Sequence, residues 1–424
     1  TVGLGFNDPD NFVKIAGENA RWINEGSFFV QDGGLTVGSG GYLKTGTLTG
    51  GPIRLHGGEI RAGELSSEGL DFKSGRINIA GGYLYLGDSD FVIPNGAEVR
   101  FQDGGYQNLV TQGNDLTVGD RKSGLPAVLE LSTGGRVWSS DAKVNTNAQV
   151  SVRDSHSFWS AKDLVVSGEL ALARIEDRAT GHADSLLVAD GGQFQLDGNG
   201  PLWNAGTVTI RGSRSAGFNE AILTVSNQSF LDASGVVSVR PGGRLELSHG
   251  FIEASTVEVR GGSLDGGGMI DAPVTVTDDG VVRPASNSTA LQTRSITFQP
   301  GTRLRARLDG TEPGTQYSRL QVVGSVQLND ATLDVSEGFM SAPRDRFLII
   351  QNDGSDPIIG QFAGLVEGSI IVSTGVTYQI SYRGGDGNDV ELVSNGSLPT
   401  ILTPTSFTTN NLPTITWTAD TGAS

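Results

Sequence analysis

At 424 residues, with a net charge of −17 and a pI near 4.6, the chain is a poor partner for nucleic acid or an anionic membrane. It has no cysteine, and its 37% hydrophobic content lies below the usual ~45–50%, so any core is thin, repetitive and held without disulfides. No run of about 18 apolar residues is present to span a bilayer as a helix. The length suits two or three globular domains or one solenoid.

The chain opens at Thr1, which reads as a piece excised from a longer protein. Residues 1–31, with NDPDNF and Arg21–Trp22–Ile23, either cap a first coil or continue an upstream one. From Gly33 short alternating runs follow quickly: GGLTVGSGGYLKTGTLTGG, IRLHGGEIRAGEL, LDFKSGRINIAGGYLYLG and FVIPNGAEVRFQDGG. Glycine pairs such as Gly40–Gly41, Gly57–Gly58 and Gly81–Gly82 punctuate them, as tight corners require. Three places read as a strand, a polar insert and a strand. The inserts are Asp120–Pro126, Arg174–Asp184 and Gly212–Glu220, carrying Lys122, Arg178 and Arg214. In solenoids, insertions collect on one face, often the binding face.

The clearest internal repeat pairs VSVRPGGRLELS with VEVRGGSLDGG, so that Val239 and Arg240 recur as Val259 and Arg260. A period near 20 residues is that of a coil unable to bury its apolar face alone. Roughly 15 such coils, at ~4.8 Å each, would make a rod about 70 Å long. From Gly261 to Val335 the period-two beat is plainest: Leu304, Ala306 and Leu308 alternate with Arg303, Arg305 and Arg307. After Val335, RFLIIQ, GQFAGLVEGSIIV and TYQISYRGGDGNDVELV predict longer antiparallel strands that close the rod, Phe347 to Ile350 being continuous as in a strand buried on both faces. Beyond Asn395, prolines at 399, 404 and 413 mark a linker into the first strands of another module around Trp417.

Several stretches of Gly261–Val393 carry a family likeness. They are GGSLDGGG, the turn RPASNS, PGTRL, LDGTEPGTQYSRLQVVG and YRGGDGNDV. Together they resemble the C-terminal part of β-helical passenger regions in autotransporter-like surface proteins, particularly the giant exported proteins of planctomycete-type bacteria. Arg283–Pro284–Ala285 departs from that pattern in lacking the usual turn glycine. PTITWTADTGA resembles the opening of a fibronectin-type or immunoglobulin-like module. The resemblance implies an all-β chain: a right-handed parallel β-helix over 1–335, an antiparallel cap over 336–395, and the start of a β-sandwich over 396–424. It also implies a non-catalytic structural or adhesive segment at the surface of a Gram-negative-type bacterium, with extracellular polysaccharide or other surface proteins as partners.

Three chemistries are weighed against this. GGDGNDVEL, Gly384–Leu392, is similar to the calcium-binding nonapeptide of RTX proteins, with Asp386 and Asp389 as metal ligands. It occurs once, with Glu391 where a large apolar residue belongs, so a glycine-rich hairpin is the simpler reading. A polysaccharide lyase or glycoside hydrolase on the same scaffold needs clustered carboxylates with an Arg or Lys; Asp278–Asp279 and the arginine row at 303, 305 and 307 are what the chain offers, without a Gly-His-Gly. His56, His156, His182 and His249 share no zinc spacing. Tyr83 and Tyr85 would form a small exposed strip if Leu84 and Leu86 point inward. The binding expectation rests on Lys122, Arg178 and Arg214: leaving the coil at one corner, the three inserts would gather a positive spot for an anionic polysaccharide.

Overall fold

A computed structural model describes residues 2–4, 12–30, 33–67, 69–86, 89–102, 107–110, 114–120, 124–213, 220–287, 289–354 and 356–397. The chain is all β, and its strands stack in parallel register into a β-helix with three columns per coil. The first column runs from Phe12–Ile15 and Gly34–Gly38 through Leu116–Val118 and Asp141–Val144 towards Leu291–Phe298. The second starts with Arg21–Val30 and Tyr42–Gly50 and passes through Ala97–Gln102, Ala127–Leu131 and Leu172–Glu176 to Thr332–Glu337. The third runs from Val2–Leu4 through Tyr83–Tyr85 and Gly135–Trp138 to Leu320–Val322 and Arg346–Asn352. Residues 12–31 therefore contribute stacked strands of the coil wherever they are described.

The packing follows from the alternation. Arg303–Leu308 is exposed at each arginine and buried at Leu304, Ala306 and Leu308. Stacking then converts alternate residues into ladders. In the first column, Val144, Val166, Val188, Ile210, Val239, Val259, Val276 and Phe298 lie in register, and all are fully buried. A parallel ladder repeats each side chain every ~4.8 Å, so a thin core becomes continuous along the rod.

Corners between the first and second columns, and between the second and third, are sharp. They use residues in the left-handed region: Asn147, Asp190, Asp278 and Asp279 at the first, Thr133, Asp177, Asn227 and Gln228 at the second. Asn and Asp tolerate this conformation because their short polar side chains bond locally. Asp278–Asp279 is thus a corner of the coil.

The expected insert at Arg174–Asp184 is not one. Arg174 and Glu176 belong to the strand Leu172–Glu176, Asp177 and Arg178 make a two-residue corner, and Thr180–Ala189 resumes the stack. The polar run is a strand's outward face plus a turn, with Ile175, Ala179 and Ala183 buried between the charges.

At the C-terminal end, Arg346–Asn352 stacks in parallel on Leu320–Val322 and pairs antiparallel with Asp389–Ser397. That strand pairs with Val376–Gly384, which pairs with Ile370–Ser373. Phe347, Phe362, Tyr378 and Ile380 are buried beneath these strands. Residues 398–424, where a second module was expected, lie outside the described residues.

Candidate functional site

The three expected inserts do not leave the coil at one corner. Residues 120–126 and 212–220 both connect the first column to the second, because Leu116–Val118 stacks through to Leu202–Arg211 and Ala127–Leu131 through to Ala221–Ser226. Arg178 turns the chain from the second column to the third, at a different corner. Lys122 and Arg214 lie outside the described residues.

Asp386 and Asp389 flank the tight turn of the antiparallel hairpin 376–397, where Gly384 pairs with Asp389. Asp386 is exposed; Asp389 is buried and accepts the Asn352 backbone N–H at 2.7 Å. Burial raises the Asp389 carboxyl above its usual range, and the negative charge of Asp386 adds to the shift, while the Asn352 N–H opposes it. Glu391, also buried, is paired with Arg346 at 2.7 Å. Tyr83 stands outward and exposed with Leu84 and Leu86 buried, and its raised pKa comes first from a hydrogen bond to Glu64.

Along the outward faces, many of the arginines among the described residues are paired with acids. On the outward face of the second column, Arg76 holds Glu98 at 2.6 Å, Arg100 holds Glu98 and, at 3.3 Å, Glu130, and Arg153 also holds Glu130. Further along, Asp265 takes both oxygens' bonds from one Arg283 nitrogen at 2.9 and 3.1 Å. Arg303 and Arg305 share Asp334, each at 3.4 Å, and Arg307 holds Asp309 at 2.7 Å. Groups so neutralised present little unmet charge to a ligand. Among the described residues, no three His, Asp or Glu side chains are placed to hold a metal ion.

A cleft of about 580 Å³ lies on the third column, beneath the excursion 309–319. That volume falls within the ~300–1,000 Å³ of ligand-binding clefts. Its floor is one outward ladder. Phe251, Met269, Gln292 and Gln321 lie in register on successive coils, and Gln351 continues the row, accepting from Gln321 at 3.1 Å. Gln228 and His249 close one side at a second-to-third corner, and Pro313–Thr315 and Arg319 close the other. Phe251 is 40% exposed, a large apolar side chain left facing the cleft. Arg319 is half-buried, its Nε has no hydrogen-bond partner, and no ion pair involves it among the described residues. None of the lining residues is acidic, on a chain of net charge −17.

Sequence reasoning missed this place because Arg319 sits in the ordinary-looking strand start SRLQV, and its neighbours arrive from several coils. One faint signal exists: Gln292, Gln321 and Gln351 recur at nearly one spacing ahead of otherwise apolar strand partners.

No family model matches the chain, and no curated protein matches it. Among solved structures, it is similar to the Haemophilus influenzae Hap adhesin, with 11% identity and a TM-score of 0.23. The match covers 90% of this chain and 58% of that one.

Proposed function

We propose that this chain is a non-catalytic, structural and adhesive rod of an exported surface protein, and that its cleft around Arg319 takes an acidic sugar of a polysaccharide. The observation that carries the reading is Arg319 itself: a guanidinium with a buried, unpartnered Nε in a cleft without acids. A planar guanidinium suits a carboxylate, which it can bind through two parallel hydrogen bonds. Phe251 supplies a face on which a sugar ring can stack, and the amides of Gln228, Gln292 and Gln321 supply donors and acceptors for its hydroxyls. The ladder repeats at ~4.8 Å, so a glycan lying along the rod meets like groups in succession.

A rod role is supported by the second column, paired coil to coil from Arg21 to Glu337, and by the pairing of outward charges from rung to rung. The same pairing weighs against a hydrolase or lyase reading, since Glu98 and Glu130 are held by Arg76, Arg100 and Arg153 rather than free to transfer protons.

The test is a glycan array and calorimetry with uronic-acid oligosaccharides. The parent should bind weakly and less tightly at high salt. Arg319→Ala should lose roughly tenfold or more in affinity, as hydrogen bonds to charged groups are worth ~1.5–3 kcal/mol. Unchanged binding by Arg319→Ala removes the site. Release of reducing or unsaturated ends from the glycan removes the non-catalytic reading.

A further inference from the structure

The hairpin turn of the cap packs against the segment after Arg346–Asn352, and polar groups there are left unsatisfied in a consistent way. Asn352 is 1% exposed and Asn388 6% exposed, and the side-chain oxygen of each is buried with no hydrogen-bond donor. Their amide nitrogens are occupied on one carbonyl: Asn352 Nδ2 donates to Asp356 O at 2.8 Å and Asn388 Nδ2 to the same oxygen at 3.1 Å. Asn388 Nδ2 also donates to Gly354 O at 2.7 Å. Rotating either amide would set oxygen against carbonyl oxygen, so the acceptors fix both orientations and turn both side-chain oxygens away. Beside them stands Asp389, 3% exposed, joined to Asn352 by the backbone bond at 2.7 Å. A side chain on Gly385 would overlap the Asp389 carboxylate, so the turn backbone presses directly on that group.

The cluster is therefore made almost wholly of acceptors: two orphaned amide oxygens and one buried carboxylate. Asp386, exposed on the turn, adds a second negative charge close enough to act on Asp389. The arginine on the strand itself, Arg346, is committed to Glu391. A buried acceptor without a donor is destabilising, and here two sit on side chains that meet at the Asp356 carbonyl. A cation would supply the partner that both amide oxygens lack and would neutralise the buried carboxylate.

We infer that the cap binds one calcium ion between the turn 384–389 and the segment 352–356, through the side-chain oxygens of Asn352 and Asn388 and the carboxylate of Asp389. Calcium is the fitting ion because it accepts an irregular set of amide and carboxylate oxygens and completes its shell with water, whereas magnesium demands near-octahedral order. This is not the repeated-turn arrangement that the sequence of the hairpin suggested: two of the three buried ligands are asparagines, and one lies on a different strand. The ion would lock the hairpin onto the last coil and so seal the end of the apolar core. The inference is independent of the cleft at Arg319.

The test uses the full chain, stripped with a chelator and titrated with calcium chloride alone or magnesium chloride alone in a calorimeter. One calcium per chain is expected, with Kd of order 10⁻⁴–10⁻³ M as in extracellular modules, together with a rise in Tm that magnesium does not reproduce. Asp389→Asn keeps an oxygen to accept the Asn352 N–H but loses the charge, and should weaken calcium binding at least tenfold. If that variant lacks the parent's circular dichroism, Asp386→Asn, at an exposed position, is read instead and should weaken binding at least threefold. Two outcomes overturn the proposal: no calcium-dependent heat or Tm shift in the parent, which would leave water as the partner of the orphaned oxygens, or folded variants that bind as the parent does.

Discussion

Trp159 and Trp203 meet edge to face, with ring centroids 6.0 Å apart and planes at 75°, across the coil that carries Gly181. Trp159, Gly181 and Trp203 occupy the same register on three successive coils, and both indoles are fully buried. The glycine leaves the space that the second indole fills, and Phe194 packs on Trp203 from the neighbouring column at 4.9 Å. A methyl group at 181 would overlap the six-membered ring of Trp203. Gly181→Ala is accordingly expected to destabilise the rod by about 1–3 kcal/mol, the usual cost of overpacking. Chemical denaturation followed by tryptophan fluorescence measures it, and an unchanged midpoint would show that the core yields there.

The valine ladder gives a larger expected effect. Val259 stacks between Val239 and Val276, all three fully buried. Val259→Asp places a carboxylate with no donor in that column, at a cost on the order of 3–5 kcal/mol. Without disulfides the coil has no covalent tie to absorb it. A thermal melt of the variant that overlays the parent's would refute the stacking.

Arg319 offers a test that separates binding from stability. Its unpartnered Nε is a cost to the folded chain, so Arg319→Met should leave stability unchanged or raise it by about 1 kcal/mol while abolishing binding of acidic sugars. Urea unfolding beside glycan calorimetry reads both. A marked loss of stability would instead assign Arg319 a purely structural place.

Alkaline pH should loosen the cap. The Tyr378 hydroxyl, 2.8 Å from Ser341 Oγ, is pushed from 10.0 up to about 12, chiefly by burial. An acid whose folded value lies above its unfolded value holds its proton longer in the folded state. The associated stability is complete below pH 10.0 and is lost as pH rises through about 12. Tyr317 and Tyr382 are raised too, again mainly by burial. Tyr378→Phe, which leaves Ser341 bonded to Ser394 at 3.0 Å, should move the alkaline unfolding midpoint upward without removing it. Circular dichroism across that range decides; a midpoint that stays in place would show that the phenol does not ionise on unfolding there.

Much of this architecture was legible in the sequence because a β-helix is built from local alternation and a fixed repeat. Arg303, Arg305 and Arg307 outside with Leu304, Ala306 and Leu308 inside, and Val239 above Val259 at a spacing of 20, need nothing beyond the period of a strand and the length of a coil. The closing hairpin at Gly384–Asp389 was visible for the same reason, since glycine and Asp-Gly steps impose their turns locally. The stacking of coils decided the rest. The run Arg174–Asp184 looked like a loop because its outward residues are charged, and only its neighbours above and below reveal a strand and a two-residue corner. Which corner Arg178 turns depends on which column precedes it, a property of the whole coil rather than of any window of sequence. Arg319, Phe251 and Gln228 become one cleft, and Asn352 becomes a neighbour of Asn388 and Asp389, because coils lie ~4.8 Å apart along the rod while these residues lie tens of positions apart along the chain.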